Sequence, residues 1–256
     1  MDEAGRPGAF DMTSYTSSFA STSVAKKVVA QLRAMERQSV ATLLHGGIVG
    51  QRAGLLFEQY AHEVLWRKGS YRLRWLGPSS LPLSESRGLR LTNDNDELWL
   101  HLDDSSTDVE FDDLTSLPLY VYGRPSDPNF KTVDSALLLD TATLLFQCTI
   151  SPSHSLTKDG LVEILAALPN YASPNVVLMY VLVDVKGDAS VLKSFSFGPV
   201  KNAAVAEAVR VVESSRAASS RRFSVYTAAI CMSVNHMIEL LCGGAAAPSS
   251  SPSPKP

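Results

Sequence analysis

The ten residues from Asn175 to Asp184, NVVLMYVLVD, restrict the possible folds of this chain more than any other segment. A nearly unbroken apolar run shows none of the alternation of a strand with one wet face. It is also far shorter than the ~20 apolar residues that a helix needs to cross a bilayer. It fits a central strand of a sheet covered on both faces, and such a strand requires helices above and below it.

The flanking segments supply those helices and further strands. Residues 23–44 place Val28, Val29, Leu32, Met35, Val40 and Leu43 among Lys26, Lys27, Arg33 and Arg37. That spacing predicts an amphipathic helix with a basic outer face, stopped by His45-Gly46-Gly47. A second helix is expected over Gln51 to Lys68, with Leu55, Phe57, Ala61, Val64 and Leu65 buried and Gly69 just past its end.

The period then becomes two. Tyr71 to Trp75, Leu89 to Leu91 and Glu97 to His101 read as antiparallel strands, separated by turn-rich stretches such as Thr92 to Asp96. The acidic run from Asp103 to Asp113 reads as a solvated loop. Leu117 to Tyr122 is expected to be a strand and Gly123 to Asn129 a turn, before a hairpin of Thr132 to Leu139 and Leu144 to Ile150. Thr157 to Leu168 is an amphipathic helix, with Thr157 as its N-cap and Asp159 in its first turn. After the apolar strand come a helix over Val200 to Ser214 and a last strand over Arg222 to Met232.

This order, two helices, a meander, a helical crossover and then helix and strand, predicts an α/β domain with a mixed central sheet flanked by helices and a helical N-terminal extension. The expected organisation is a disordered leader over 1–22, one domain over 23–242 with its core at about 50–185, and a disordered Ser/Pro tail over 243–256.

Composition narrows the function classes. The 45% hydrophobic and 19% charged shares allow a real core. A net charge of −3 excludes the strongly basic balance of a dedicated nucleic-acid coat. It leaves a nuclease open, because an enzyme needs only a local basic patch and a metal site adds carboxylates. Three cysteines without metal-ligand spacing, Cys148, Cys231 and Cys242, argue against a disulfide framework and point to a reduced intracellular setting or to no redox role. The first residues lack the basic-then-apolar order of a secretory signal, and no membrane span is expected.

Three polar features stand at or beside apolar positions. Glu58 lies on or beside the buried stripe of the second helix, Asp134 lies inside the first strand of the hairpin, and Gln147 lies in the second with Thr149 on the same face. A buried carboxylate costs several kcal/mol unless it is paired, hydrogen-bonded or metal-bound. Two carboxylates and an amide that converge would make an oxygen-ligand site suited to a hard cation such as Mg²⁺. Each has an ordinary alternative: Glu58 solvated at the edge of its stripe, Asp134 facing solvent on the pleat, and Gln147 and Thr149 on an exposed face.

The same residues resemble a known family. Gly54-Leu-Leu-Phe-Glu58-Gln-Tyr-Ala-His62, followed by the alternating strand from Gly69, is similar to the start of the C-terminal nuclease-like domain of Crinkler effectors and retrotransposon hot spot proteins. Pro128-Asn129 with Val133-Asp134, then Phe146-Gln147-Cys-Thr149-Ile-Ser151-Pro-Ser-His154-Ser-Leu-Thr-Lys158-Asp-Gly160, resembles that family's aspartate strand and its Gln-x-Thr-Val-Ser-x-x-His run. The resemblance covers about Gly54 to Asp184.

It implies a restriction-endonuclease-like fold of the PD-(D/E)xK kind and Mg²⁺-dependent hydrolysis of DNA. Glu58 would be the helix carboxylate, Asp134 the metal-binding aspartate and Gln147 the third ligand. It also implies DNA or a host nuclear protein as partner, and a nuclear location or export to a host cell. The sequence departs from the general pattern at two points. The third ligand is the neutral Gln147, and Thr149 stands where a lysine is expected. Lys158 could reach in to replace that lysine, and His154 could carry protons or bind metal. Their ordinary roles are a solvated helix lysine and a loop histidine capping the helix start.

No Gly-x-x-x-x-Gly-Lys-Ser/Thr loop, Gly-x-Ser-x-Gly elbow or Cys-x-x-Cys pair is present. Lys26, Lys27, Arg33, Arg37, Arg72, Arg74, Arg221 and Arg222 could form a phosphate-tracking face or be scattered solubilising charge. Two other functions stay open: an inactive descendant of the same fold that binds nucleic acid or a host protein, and an interaction module docking through Val28, Leu32 and Met35.

Overall fold

In the computed structural model, the described residues are 27, 51–67, 69–77, 87–94, 96–103, 107–127, 133–150, 157–184, 189–195, 199–215 and 222–233. The expected leader, tail and first helix fall outside them, apart from Lys27, which is helical and exposed.

Helix α1, Gln51–Leu65, is followed by strands β1, Gly69–Trp75, β2, Leu89–Asp94, and β3, Glu97–Leu102. Then come β4, Asp108–Phe111, a 3₁₀ turn at Leu114–Ser116, β5, Tyr122–Pro125, β6, Ser135–Leu138, and β7, Thr143–Thr149. Helix α2, Lys158–Ala167, leads to β8, Asn175–Asp184, and helices α3, Ser190–Ser194, and α4, Pro199–Ser215, lead to β9, Ser224–Ser233. All nine strands form one sheet in the order β2-β3-β1-β9-β8-β7-β6-β5-β4. The sheet is mixed: β7, β8 and β9 are parallel, as are β4 and β5, and the other neighbours are antiparallel.

The apolar run is the central strand that the sequence predicts. Val177, Met179 and Val181 of β8 pack on one side with Phe57, Ala61 and Val64 of α1. Val176, Leu178, Tyr180 and Leu182 pack on the other with Leu161 and Ile164 of α2 and Ala208 and Val212 of α4. Both crossovers, β7-α2-β8 and β8-α3-α4-β9, step the same way along the sheet. Crossovers of one hand therefore place α2 and α4 on one face, where they pack together. α1 covers the opposite face.

Three expectations change. The acidic stretch is not all loop. Asp108 to Phe111 forms β4 because Phe111 is buried and Asp108 is held by a bidentate pair with Arg124 of β5, Oδ1 to Nε being 2.8 Å and Oδ2 to Nη2 2.5 Å. Asp113 caps the 3₁₀ turn by accepting from the Thr115 N–H at 3.0 Å.

The strand expected over Leu117 to Tyr122 is instead a single bridge at Leu119, broken at Tyr120, whose φ is 62. A left-handed tyrosine cannot continue an extended strand, so the strand proper begins at Tyr122 and takes in the start of the segment expected to turn, as far as Pro125. β2 extends to Asp94, opposite Glu97, so the turn between β2 and β3 is tighter than the composition suggested. The N-cap of α2 is as expected, with the Gly160 N–H donating to Thr157 Oγ1 at 3.3 Å.

Candidate functional site

The register of the hairpin sets one end of the site. Ser135 pairs with Phe146 and Ala136 with Leu145, which puts Asp134, just before β6, opposite Gln147. β6 stops there, and the Asp134 carboxylate takes the ladder position that a further carbonyl would have filled. Its Oδ2 accepts from the Cys148 N–H at 2.6 Å and from Gln147 Nε2 at 2.8 Å. The Asp134 N–H in turn donates to the Phe146 carbonyl at 2.8 Å. The aspartate and the glutamine therefore form one rigid unit, and Gln147, level with Tyr180 of β8, leaves β7 on the α2 side of the sheet.

Glu58 approaches from α1. The helix packs against β7, and its carboxylate is one-third exposed, at 33%. Burial, and after it the charge of Glu58, push the Asp134 carboxyl well above the usual carboxylate range. They do so against the Cys148 and Gln147 hydrogen bonds, which favour the charged form. Burial raises the Cys148 thiol as well, with smaller contributions from Asp134 and then Glu58. Both carboxylates thus flank the same point of β7.

A second set of polar side chains, unassigned by sequence reasoning, adjoins the first. His62, one turn beyond Glu58, is 2% exposed, and its Nε2 lies 3.8 Å from Glu58 Oε1. Its Nδ1 is 2.7 Å from the Tyr122 hydroxyl, which donates to Ser135 Oγ at 2.6 Å. The Asp108–Arg124 pair lies close by, since the charges of His62 and Glu63 reach Asp108. The i, i+4 spacing of Glu58 and His62 was the available signal, but the partner Tyr122 is 60 residues away.

Sequence-predicted residues divide three ways. Asp134 is hydrogen-bonded to Gln147 and feels the charge of Glu58. Lys158 is 45% exposed, with its ammonium 3.9 Å from Asp159, and its charge acts on Glu207 of α4. His154 lies outside the described residues. Thr149, at the motif lysine's position, is buried at the edge of a cavity of about 140 Å³ shared with Leu182, Val191 and Phe195.

Arg72 and Arg74 are engaged within the fold. Arg72 pairs with Glu97 at 3.0 Å and lies 5.4 Å from the Trp99 ring centroid. Arg74 donates to the Leu192, Lys193 and Phe195 carbonyls at the end of α3.

The donor set fits a hard cation. Among the described residues no group of three His, Cys, Asp or Glu side chains could hold a metal ion. What the chain offers is two carboxylates and an amide oxygen. Mg²⁺ suits such a set, because it keeps several waters and takes one or two carboxylates together with substrate phosphate. The charge of Glu58 opposes the ionisation of Asp134, an effect that a bound cation would relieve.

No family model, curated protein or solved structure matches the chain. Among the described residues no helix is long and apolar enough to cross a membrane.

Proposed function

We propose that the chain is a restriction-endonuclease-like, Mg²⁺-dependent phosphodiesterase acting on DNA, of the kind its resemblance to Crinkler and retrotransposon hot spot proteins implies. The observation that carries this reading is the approach of Glu58, on a helix, to Asp134, at a strand end where it is fixed by Gln147 and Cys148. Support also comes from the order of elements. A helix bearing the glutamate, an antiparallel hairpin bearing the aspartate and glutamine, and a helical crossover to a buried parallel strand follow one another.

In this reading Glu58 and Asp134 contribute the anionic oxygens. Gln147 orients Asp134 through its amide nitrogen and would offer its own oxygen as the third donor. A divalent cation bound there would supply neutralisation of the scissile phosphate and a lowered pKa for the attacking water.

A second reading is favoured by the surroundings of Thr149. A buried threonine replaces the lysine that would stabilise the pentavalent phosphate, and the charge of Lys158 is spent toward α4. The chain would then be an inactive descendant that binds nucleic acid or a host nuclear protein.

A cleavage assay on plasmid and single-stranded DNA with Mg²⁺ or Mn²⁺ separates the two. The first reading expects metal-dependent nicking that chelator and Asp134→Ala both abolish. Cleavage that survives Asp134→Ala removes the site, and no cleavage together with no metal binding favours the inactive descendant.

A further inference from the structure

His62, Tyr122 and Ser135 form a continuous buried chain between the two elements that carry the candidate carboxylates. Its helix end is His62, on the same face of α1 as Glu58 and one turn further on, with Nε2 turned to that carboxylate at 3.8 Å. Its sheet end is Ser135, the residue after Asp134. Between them stands the Tyr122 hydroxyl, 2.7 Å from His62 Nδ1 and 2.6 Å from Ser135 Oγ. His62, Tyr122 and Ser135 are 2%, 0% and 0% exposed, so the connection is shielded from competing water. The rings of His62 and Tyr122 meet edge-on with centroids 6.0 Å apart, which fixes their mutual orientation.

We infer that His62, Tyr122 and Ser135 are positioning residues that set the separation of Glu58 and Asp134 for a shared divalent cation. The inference rests on the proposed metal site and goes beyond it. No backbone ladder can tie a helix to a sheet, so side-chain contacts alone decide how far Glu58 stands from Asp134. Apolar packing of Phe57 and Ala61 with the residues of β7 is non-directional, whereas two hydrogen bonds that end beside the two proposed ligands carry a direction. Outer partners of metal ligands act in this way, and their loss commonly costs 10–100-fold in metal affinity.

The test is Mn²⁺ affinity, followed by electron paramagnetic resonance, in the metal-free full chain and in Tyr122→Phe, Ser135→Ala and Thr143→Val. Thr143→Val is the control. Thr143 is equally buried, and its hydroxyl donates to the Ser173 carbonyl at 2.9 Å, a bond that does not involve α1. Tyr122→Phe is expected to weaken Mn²⁺ by about 10-fold or more. Thr143→Val, at a comparable loss of melting temperature, should leave the affinity unchanged.

Should Tyr122→Phe fail to fold, Ser135→Ala reports on the same connection from its sheet end, with the same expected weakening. Wild-type binding with equal affinity in Tyr122→Phe or Ser135→Ala overturns the inference alone. An equal loss in Thr143→Val overturns it too, because any buried hydroxyl would then serve. A wild-type chain that binds no Mn²⁺ overturns the metal site and the inference together.

Discussion

Asp134 concentrates the physics of the site in one carboxyl group. Its two N–H donors hold it in place, yet burial and the neighbouring Glu58 make its charge costly. The sign of the consequence follows from linkage. The folded-state pKa lies above the unfolded value of about 4, so the folded form binds a proton that the unfolded form releases. The contribution of this group to stability is full below that value and is lost as pH rises through the folded pKa. Asp134→Asn keeps an oxygen acceptor and cannot ionise. In chelator, its stability relative to wild type should therefore rise steadily between about pH 4 and neutrality, as read from urea midpoints. A difference that does not change with pH would show that the carboxyl is not desolvated.

At the scale of single elements, local chemistry was legible where it acts within a few residues. The start of α2 is an example, since Thr157 meets Gly160 three positions on. Thr157→Ala should cost about 1 kcal/mol, within a range of roughly 0.5–2, in chemical denaturation, and no loss would mean that the cap is not formed in solution. The hairpin of β6 and β7 and the long strand β8 were also legible, from apolar runs and the short gap between them.

The elements that were misread owe their form to distant partners. β4 is a strand despite its acidic residues because Asp108 finds Arg124, sixteen positions away. Tyr120 breaks the expected strand through a backbone angle that its side chain does not advertise. α3 is a five-residue helix whose end is satisfied by Arg74, more than a hundred positions earlier. Nothing in a local window encodes such pairings.

For the molecule as a whole, the governing feature is a central strand covered on both faces. Leu178 points to the α2 and α4 side, and Met179 to the α1 side. Leu178→Ala and Met179→Ala should each destabilise by about 2–5 kcal/mol, since each opens a cavity in a separate core. A loss below 1 kcal/mol at either position would mean that one layer of helices is not seated.

The α/β class and the sheet with helices on both sides followed from that strand and the alternation around it. The candidate site was legible only in the residues proposed as its ligands. Glu58, Asp134 and Gln147 stood out as polar residues in apolar settings, whereas Tyr122 and Ser135 look like ordinary strand residues until the sheet brings them beside His62.

Calorimetric titration of Mn²⁺ into the metal-free chain decides whether Glu58, Asp134 and Gln147 form the proposed site for one hard cation. Saturable binding is expected in wild type, and Asp134→Asn and Glu58→Gln should each abolish it with both variants still folded. Absence of binding in wild type, or equal binding in the variants, would contradict it.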